Sequence, residues 1–122
     1  MKVCVIIPVF NEQDFIKKSV ESLIDQTIKP AEVIYVNDNS TDNSKNIIKN
    51  LIGNCEWIRV IDHKSVQEHV PGGKVIEAFN FGLKNLEIQF DIICKFDGDI
   101  ILPKNYIEII IEIFKVFLCP PF

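Results

Sequence analysis

Two aspartates, Asp97 and Asp99, follow an apolar run and are separated only by Gly98. Like charges at this spacing repel, and carboxylates beside a hydrophobic core lose hydration, so a compensating positive charge is expected nearby. Mg²⁺ or Mn²⁺ fits this role, because hard cations prefer oxygen ligands and take further ligands from water and substrate phosphates. The alternative is a plain turn, since Asp-Gly is a common turn dipeptide.

The local backbone decides where these carboxylates point. If the backbone stays extended, side chains two residues apart project to the same face, so Asp97 and Asp99 would face one ligand together. Gly98 would then allow that ligand to approach the main chain closely. The sequence therefore predicts a metal site, provided that the rest of the chain positions these residues at an exposed edge.

The surrounding chain alternates strand and helix patterns. Residues 3–7 are continuously apolar, which is typical of a strand buried on both faces. We predict strands at 2–8, 31–38, 56–61 and 91–96, helices at 11–26, 40–53, 74–87 and 106–118, and a polar loop at 62–73. Because crossovers between parallel strands are right-handed, this order predicts an α/β fold: a Rossmann-like, doubly wound, mostly parallel sheet with helices on both faces.

Two helix starts are predicted from local signals. Glu12 and Asp14 are acidic residues that fit the first turn of the first helix, where the helix dipole favours negative charge. Ser40 has the residue type of an N-cap and precedes the second helix.

Polar segments follow three of the predicted strands: "PVFNE" at 8–12, "NDNSTD" at 37–42 and "DGD" at 97–99. In parallel sheets, ligands gather beyond the carboxyl ends of the strands, so these segments are expected to converge on one site. Asp38 could accept a hydrogen bond from a base or ribose, or begin an Asx turn. Phe10 could stack on a planar base, or pack against the following helix. Lys74 opens a helix after two glycines, where an ammonium and backbone N–H groups could meet phosphate.

Length and charge limit the remaining possibilities. The 122 residues, 48% of them hydrophobic, fit one globular domain. The net charge of −4, with lysines spread along the chain, predicts no nucleic-acid partner. The four cysteines lack CxxC spacing, and Cys4 and Cys94 fall inside apolar runs, which predicts reduced thiols and a cytoplasmic location.

The segment 106–118 is the most apolar part of the chain. Glu108, Glu112 and Lys115 form one narrow polar stripe on this predicted helix, which is shorter than a membrane span. Because most of its surface needs covering, we expect self-association through this helix.

Four segments in this order resemble family 2 glycosyltransferases with the GT-A fold: "VIIPVFNEQDFIKKSVESLIDQT", "VIYVNDNSTDNS", "GGKVIEAFNFGL" and "DIICKFDGDIILP". The resemblance implies a nucleotide pocket lined by Pro8, Val9, Phe10 and Glu12, with Asp38 reading the base. It also implies that Lys74 lies near the sugar donor, that Asp97 faces the ribose or the metal, and that Asp99 binds the ion that bridges the diphosphate.

The activity implied by the resemblance is transfer of a sugar from a nucleotide-diphosphate donor, expected to be a UDP-sugar, to a saccharide or lipid-linked acceptor with inversion. In this family the acidic general base follows the metal-binding strand, and only 23 residues follow Asp99 here. The acidic ones, Glu108 and Glu112, lie on a helical stripe, so we predict no catalytic base. Residues 1–122 are therefore expected to form one nucleotide-sugar-binding domain, truncated at its C-terminus.

Two alternatives remain open. One is a module that binds nucleotide sugar without transferring it. The other is a nucleotidyltransferase, which should carry a glycine- and arginine-rich loop after the first strand, and "PVFNEQDF" lacks this composition. In a full-length protein, peripheral association with the membrane is the alternative to a purely cytoplasmic location.

Overall fold

The computed structural model describes residues 1–66 and 72–118. Four strands alternate with four helices along the chain: β1 Val3–Val9, α1 Ile16–Ile24, β2 Glu32–Asp38, α2 Ser44–Ile52, β3 Ile58–His63, α3 Gly73–Lys84, β4 Ile92–Lys95 and α4 Tyr106–Leu118. This is the predicted order of elements.

The strands form one parallel sheet in the order β3-β2-β1-β4. β1 is central, with Val5 aligned to Val33 of β2 on one side and to Cys94 of β4 on the other. The chain moves outward from β1 to β2 and β3, then returns past β1 to form β4. The order therefore reverses between β1 and β4, and such a switch point is where open α/β sheets bind ligands at their carboxyl ends.

Both faces of the sheet are covered by helices. On one face, β1 side chains such as Val5 and Ile7 pack with Val20 of α1, Ile48 of α2 and Ile107 of α4. The opposite face carries a smaller apolar cluster around α3, made by Ile6, Ile34, Val36 and Ala78. The alternation of side chains along each strand produces these two layers, and the predicted doubly wound α/β fold is confirmed.

Close packing of α3 against the sheet depends on Gly82. A Cβ atom added there would lie 2.7 Å from Cγ2 of Ile6 and 2.9 Å from Cγ2 of Val36. These distances are too short, and both contacting atoms belong to buried β-branched side chains with little room to move. The absence of a side chain at position 82 therefore sets how near α3 lies to the sheet.

We predict that Gly82→Ala destabilises the protein by about 1–3 kcal/mol, although alanine has the higher helix propensity, because overpacking forces the helix away from the sheet. Denaturant unfolding measures this change. Asn80→Ala, at an exposed position of the same helix, is the matched control. If Gly82→Ala were as stable as Asn80→Ala, this account of α3 packing would be wrong.

Both predicted helix starts are wrong. α1 begins at Ile16, so Glu12 and Asp14 precede the helix, and α2 begins at Ser44, so Ser40 does not cap it. The physical reason is that the loops before these helices hydrogen-bond to each other; for example, Asn11 N–H donates to Ser40 Oγ over 3.1 Å. A hydroxyl used between loops is not available to cap its own helix.

The predicted boundaries also shift around β3. This strand ends at His63 rather than at residue 61, because its pairing with β2 continues to the aligned pair Asp38 and His63. The predicted loop 62–73 is therefore wrong at both ends, since α3 already begins at Gly73. Residues 67–71 of that predicted loop lie outside the described residues.

Hydrogen bonds connect the start of α4 to the rest of the domain. The buried Gln26 side chain donates through Nε2 to the Pro103 carbonyl over 2.6 Å and accepts at Oε1 from Ile107 N–H over 3.0 Å. Farther along the helix, Val116 and Phe117 are 71% and 78% exposed.

Within the parts of the chain that are described, every helix is too short or too polar to cross a membrane. Self-association through α4 stays a prediction.

Candidate functional site

A cavity of about 440 Å³ opens at the carboxyl ends of β1, β2 and β4. The residues that line it are Pro8, Val9, Phe10, Glu12, Asp38, Asn39, Lys74, Val75, Asp97, Gly98 and Asp99. All eight residues predicted from the sequence to form a binding site are in this set. The structure brings them together around one space; their roles in binding stay predictions. Asn39, Val75 and Gly98 also line the cavity but were not predicted as binding residues.

The segment containing the two aspartates is a turn. The backbone N–H of Ile100 donates to the carbonyl of Asp97 over 3.2 Å, which closes the turn around Gly98 and Asp99. The backbone therefore does not stay extended here, and the alternative of a turn is what the structure shows, because this hydrogen bond folds the chain back immediately after β4. Both aspartates nevertheless line the cavity, so a turn and a candidate binding site are the same structure here.

Gly98 packs closely against a neighbouring side chain. A Cβ atom at this position would lie 3.0 Å from Cγ and 3.6 Å from Cβ of Glu12, and 3.6 Å from Cγ2 of Val9. The sequence suggested that a ligand needs this space, whereas in the structure the Glu12 stem occupies one side of it. Gly98 therefore lets the aspartate turn pack directly against the segment that follows β1.

Negative charge accumulates on this side of the cavity. Burial raises the pKa of Glu12 above its ordinary value of 4.5, and the nearby charges of Asp99, Asp97 and Asp42 raise it further. An ion pair joins Lys95 Nζ to Asp97 Oδ1 at 3.4 Å, and both side chains are substantially exposed. Such an exposed pair contributes little, so it offsets the negative charge of the aspartate turn only weakly.

The side chains provide only part of a metal coordination shell. Among residues 1–66 and 72–118, no group of three or more His, Cys, Asp or Glu side chains is placed to hold a metal ion. The carboxylates of Asp97 and Asp99, with Glu12 nearby, nevertheless suit a hard cation. Such an ion needs only some ligands from the protein and takes the others from water and phosphate, as Mg²⁺ commonly does. The donor set is therefore compatible with Mg²⁺ or Mn²⁺.

The raised pKa of Glu12 makes a pH-dependent prediction. Since the folded-state pKa lies above the unfolded value, the folded state holds this proton more tightly, and the contribution of Glu12 to stability falls as the pH rises through and beyond 4.5. Glu12→Gln should therefore increase the free energy of unfolding of the ligand-free protein at pH 7. The gain should vanish well below the ordinary pKa, where both states are protonated.

Urea unfolding at a series of pH values measures this difference between the Glu12→Gln variant and the wild-type chain. Glu21→Gln, which removes the same charge from an exposed position of α1, is the control for the general effect of net charge. An equal gain in both variants, or a gain for Glu12→Gln that is independent of pH, would contradict the prediction.

Asp38 is buried at the end of β2 and holds the chain that follows β3. Its Oδ1 accepts a hydrogen bond from Ser65 N–H over 2.9 Å and a longer one from Asn39 Nδ2 over 3.4 Å. Ser65 Oγ in turn donates to the Lys74 carbonyl over 3.3 Å. Asp38 thus supports the beginning of α3, and its Oδ2 has no hydrogen-bond partner among the described residues. Ser65 was missed in the sequence because it lies 27 residues from its partner.

Phe10 and Lys74 line the cavity from different segments, the loop after β1 and the start of α3. The Phe10 side chain is 60% exposed, which does not fit the alternative that it packs against α1. Lys74 is the second residue of α3, and the preceding Gly72 has φ +75°, a left-handed conformation that glycine adopts without strain. The cavity therefore combines an exposed aromatic ring, an ammonium group near a helix N-terminus, and carboxylates.

The sequence profile described as Glycosyl transferase family 2 matches residues 4–116. This chain belongs to that family. Among curated relatives, it is 31% identical over 107 residues to Glycosyltransferase GlyA of Streptococcus pneumoniae serotype 4, covering 88% of this chain and 14% of that protein. It is 38% identical over 76 residues to Uncharacterized glycosyltransferase YibD of Escherichia coli K12, covering 62% of this chain and 22% of that protein.

Solved structures place this family 2 chain in the GT-A fold. The crystal structure of Staphylococcus aureus TarS 1-349 in complex with UDP matches with a TM-score of 0.75 and 25% identity, over 94% of this chain and 32% of that one. The mannosyltransferase PcManGT from Pyrobaculum calidifontis, in complex with GDP-Man and Mn²⁺, matches with a TM-score of 0.63 and 21% identity, over 84% of this chain and 28% of that one. The chain spans less than a third of each of these relatives.

Proposed function

We propose that residues 1–122 form one nucleotide-sugar-binding domain of a glycosyltransferase. The expected donor is a UDP-sugar, bound through a divalent cation, and the expected reaction is inverting transfer to an acceptor hydroxyl. The observation that carries this proposal is the single cavity that Phe10, Asp38, Lys74, Asp97 and Asp99 share in a chain of family 2. The UDP bound to the related TarS structure supports the choice of base.

The proposed roles follow from the chemistry of each side chain. Phe10 presents an exposed ring that a planar base can stack on. Asp38 offers the carboxylate oxygen Oδ2, which has no partner within residues 1–66 and 72–118 and accepts a hydrogen bond from an N–H of the base or a ribose hydroxyl. Lys74 and the N-terminus of α3 supply positive charge and N–H groups for a phosphate. These groups bind and orient the donor.

Asp97 and Asp99 are the proposed metal ligands. Burial raises the pKa of Glu12 most, and the charges of Asp99 and Asp97 raise it further, so a cation at this turn relieves repulsion among these carboxylates. A bound Mn²⁺ or Mg²⁺ supplies positive charge that stabilises the diphosphate as a leaving group. The Mn²⁺ named for the PcManGT complex supports this proposal.

A second candidate function is a module that binds the donor without transferring its sugar. Among the described residues, the carboxylates that line the cavity belong to Glu12, Asp38, Asp97 and Asp99, and all four are assigned here to the proposed donor or metal. Glu108, which follows the metal turn, instead accepts a hydrogen bond from Thr27 Oγ1 over 2.9 Å. This observation favours a cavity that binds the donor and contains no separate general base for an acceptor hydroxyl.

Calorimetric titration with UDP, GDP and CDP, each with Mn²⁺ and with a chelator, tests the proposal. We expect UDP to bind most tightly, and removal of Mn²⁺ to weaken binding at least about tenfold. Absence of binding with or without the metal would reject both candidate functions. Release of UDP from UDP-sugars in the presence of acceptors separates the two candidates from each other.

We also propose a cytoplasmic location. Cys4, Cys55 and Cys94 are free thiols, which supports a reducing compartment. Cys119 lies outside the described residues.

A further inference from the structure

Two loops at the mouth of the cavity are joined through one asparagine. The β1–α1 loop comprises residues 10–15, and the β2–α2 loop comprises residues 39–43. Asn11 donates its N–H to Ser40 Oγ over 3.1 Å. Its side-chain oxygen Oδ1 accepts from Thr41 N–H over 2.8 Å and from Asp42 N–H over 3.3 Å. Asn11 therefore holds three consecutive residues of the neighbouring loop.

Further hydrogen bonds continue this contact between the loops. Gln13 N–H donates to Asp42 Oδ2 over 3.2 Å, and Asn43 N–H donates to Gln13 Oε1 over 3.2 Å. Glu12 N–H donates to Ser44 Oγ, at the start of α2, over 2.8 Å. We refer to these hydrogen bonds, together with those of Asn11, as the interloop clasp.

The conformation of Asn11 is also restricted. Its φ of +49° lies in the left-handed region, which asparagine, aspartate and glycine tolerate better than other residues. The position therefore needs two properties at once: tolerance of positive φ, and a short side chain with an oxygen acceptor. Asparagine and aspartate combine both, glycine has only the first, and serine has mainly the second.

The interloop clasp lies directly behind the cavity walls. Asn11 stands between Phe10 and Glu12, which line the cavity, but does not line it itself. Its partner Ser40 follows Asp38 and Asn39, which line another wall of the same cavity. The hydrogen bonds of Asn11 consequently join the backbone next to Phe10 to the backbone that follows Asp38.

We propose that Asn11 is a positioning residue that holds these two walls at the separation a nucleoside requires. This inference rests on the proposed function, because it concerns the same cavity. Without the Asn11 acceptor, the N–H groups of Thr41 and Asp42 turn to solvent and the loops are free to separate. A ligand that contacts both walls must then order them on binding, which weakens its affinity without removing any group that touches it.

Three substitutions at two positions separate the effect of the hydrogen-bond acceptors from the effect of the backbone conformation at Asn11. Asn11→Gly keeps the tolerance of positive φ and removes the acceptor, whereas Asn11→Asp keeps both. Ser40→Ala removes only the acceptor of the Asn11 N–H and leaves both backbones with their ordinary preferences, so it remains informative if Asn11→Gly folds poorly. Glu32→Gln, at the opposite end of the sheet, controls for a general loss of stability.

Titration of each variant of the 122-residue chain with UDP and Mn²⁺ is the test, with thermal unfolding recorded alongside. We expect Asn11→Gly to bind about tenfold more weakly and Ser40→Ala about threefold more weakly, with Asn11→Asp within about threefold of wild type. Glu32→Gln should lose thermal stability and keep the wild-type affinity. This pattern supports Asn11 as a positioning residue.

Three results would overturn the inference. Wild-type affinity in both Asn11→Gly and Ser40→Ala would show that the interloop clasp does not set affinity. Equal losses in Asn11→Asp and Asn11→Gly would show that the acceptor is not what matters. An equal loss of UDP affinity in Glu32→Gln would show that the weaker binding reflects a general loss of protein stability. Failure of the wild-type chain to bind UDP would instead reject the proposed function, which keeps the two failures distinguishable.

Discussion

Asp99→Ala is expected to weaken Mn²⁺-dependent UDP binding on the order of 100-fold, because it removes half of the carboxylate pair that the protein offers to the cation. Within the described residues, no group of three or more His, Cys, Asp or Glu side chains is placed to hold a metal ion in its stead. Asp99→Asn should lose most of the same affinity, since the amide keeps the shape of the side chain and removes its charge. Titration with UDP at constant Mn²⁺ measures both losses.

Two further measurements make this prediction sharper. Glu21→Ala removes an equal charge from an exposed site on α1 and should leave UDP affinity unchanged. The charge of Asp99 is one cause of the raised pKa of Glu12, so Asp99→Ala should lower that pKa in the ligand-free protein, which NMR titration detects. An Asp99→Ala variant that binds UDP and Mn²⁺ like the wild type would contradict the assignment of the metal site.

Glu32→Ala is expected to destabilise the protein by about 3 kcal/mol, because it removes a buried carboxylate that joins β2 to Arg59 of β3 and to residues 87–88. Glu32 is 6% exposed at the start of β2. Its Oε2 lies 3.2 Å from Nη2 of Arg59, and its Oε1 accepts from the N–H groups of Glu87 and Ile88 over 2.9 and 3.1 Å. Arg59 also donates to the Asn85 carbonyl.

The loss at Glu32 is a large fraction of the 5–15 kcal/mol that stabilises an ordinary domain, so it should be readily visible. Chemical denaturation measures it, with Glu56→Ala as the control for removing an exposed glutamate. A change below about 1 kcal/mol would show that solvent replaces the carboxylate and that the contacts of Glu32 contribute little. Because Glu32 lies at the opposite end of the sheet from the cavity, the surviving folded protein should keep its UDP affinity.

The sequence was sufficient to predict the sheet because burial leaves a direct local pattern. β1 is central and covered on both faces, so residues 3–7 had to be continuously apolar, and this is what identified a parallel strand. Once the strands were parallel, their polar carboxyl-terminal segments had to meet at one edge. That is why residues as distant as Phe10, Asp38 and Asp99 could be assigned to one place before the structure was described.

Contacts between distant segments could not be predicted in the same way. The bond from Asp38 to Ser65, the clasp around Asn11 and the bond from Glu87 to Glu32 join residues 27 to 55 positions apart. Hydrophobic periodicity contains no information about these pairs. The same limitation explains the misplaced helix starts: Glu12 and Ser40 have residue types suited to helix starts, but the structure uses their local backbone and hydroxyl groups between loops instead.

For Gly98, the sequence suggested one reason for a glycine, and the structure shows another. A glycine between two aspartates suggested close approach of a ligand, and the structure places the Glu12 stem against it instead. Packing between the β1–α1 loop and the aspartate turn is therefore part of how the cavity is built. Burial of Glu12 and, after it, the nearby charges of Asp99 and Asp97 raise the pKa of Glu12.

A crystal of the chain grown with UDP and Mn²⁺, with anomalous diffraction recorded for manganese, tests the metal-dependent site most directly. We expect one anomalous peak at coordinating distance from carboxylate oxygens of the Asp97 to Asp99 turn, with the diphosphate beside it and the base between Phe10 and Asp38. UDP bound in the cavity with no manganese at these oxygens, or manganese bound elsewhere on the chain, would contradict the account.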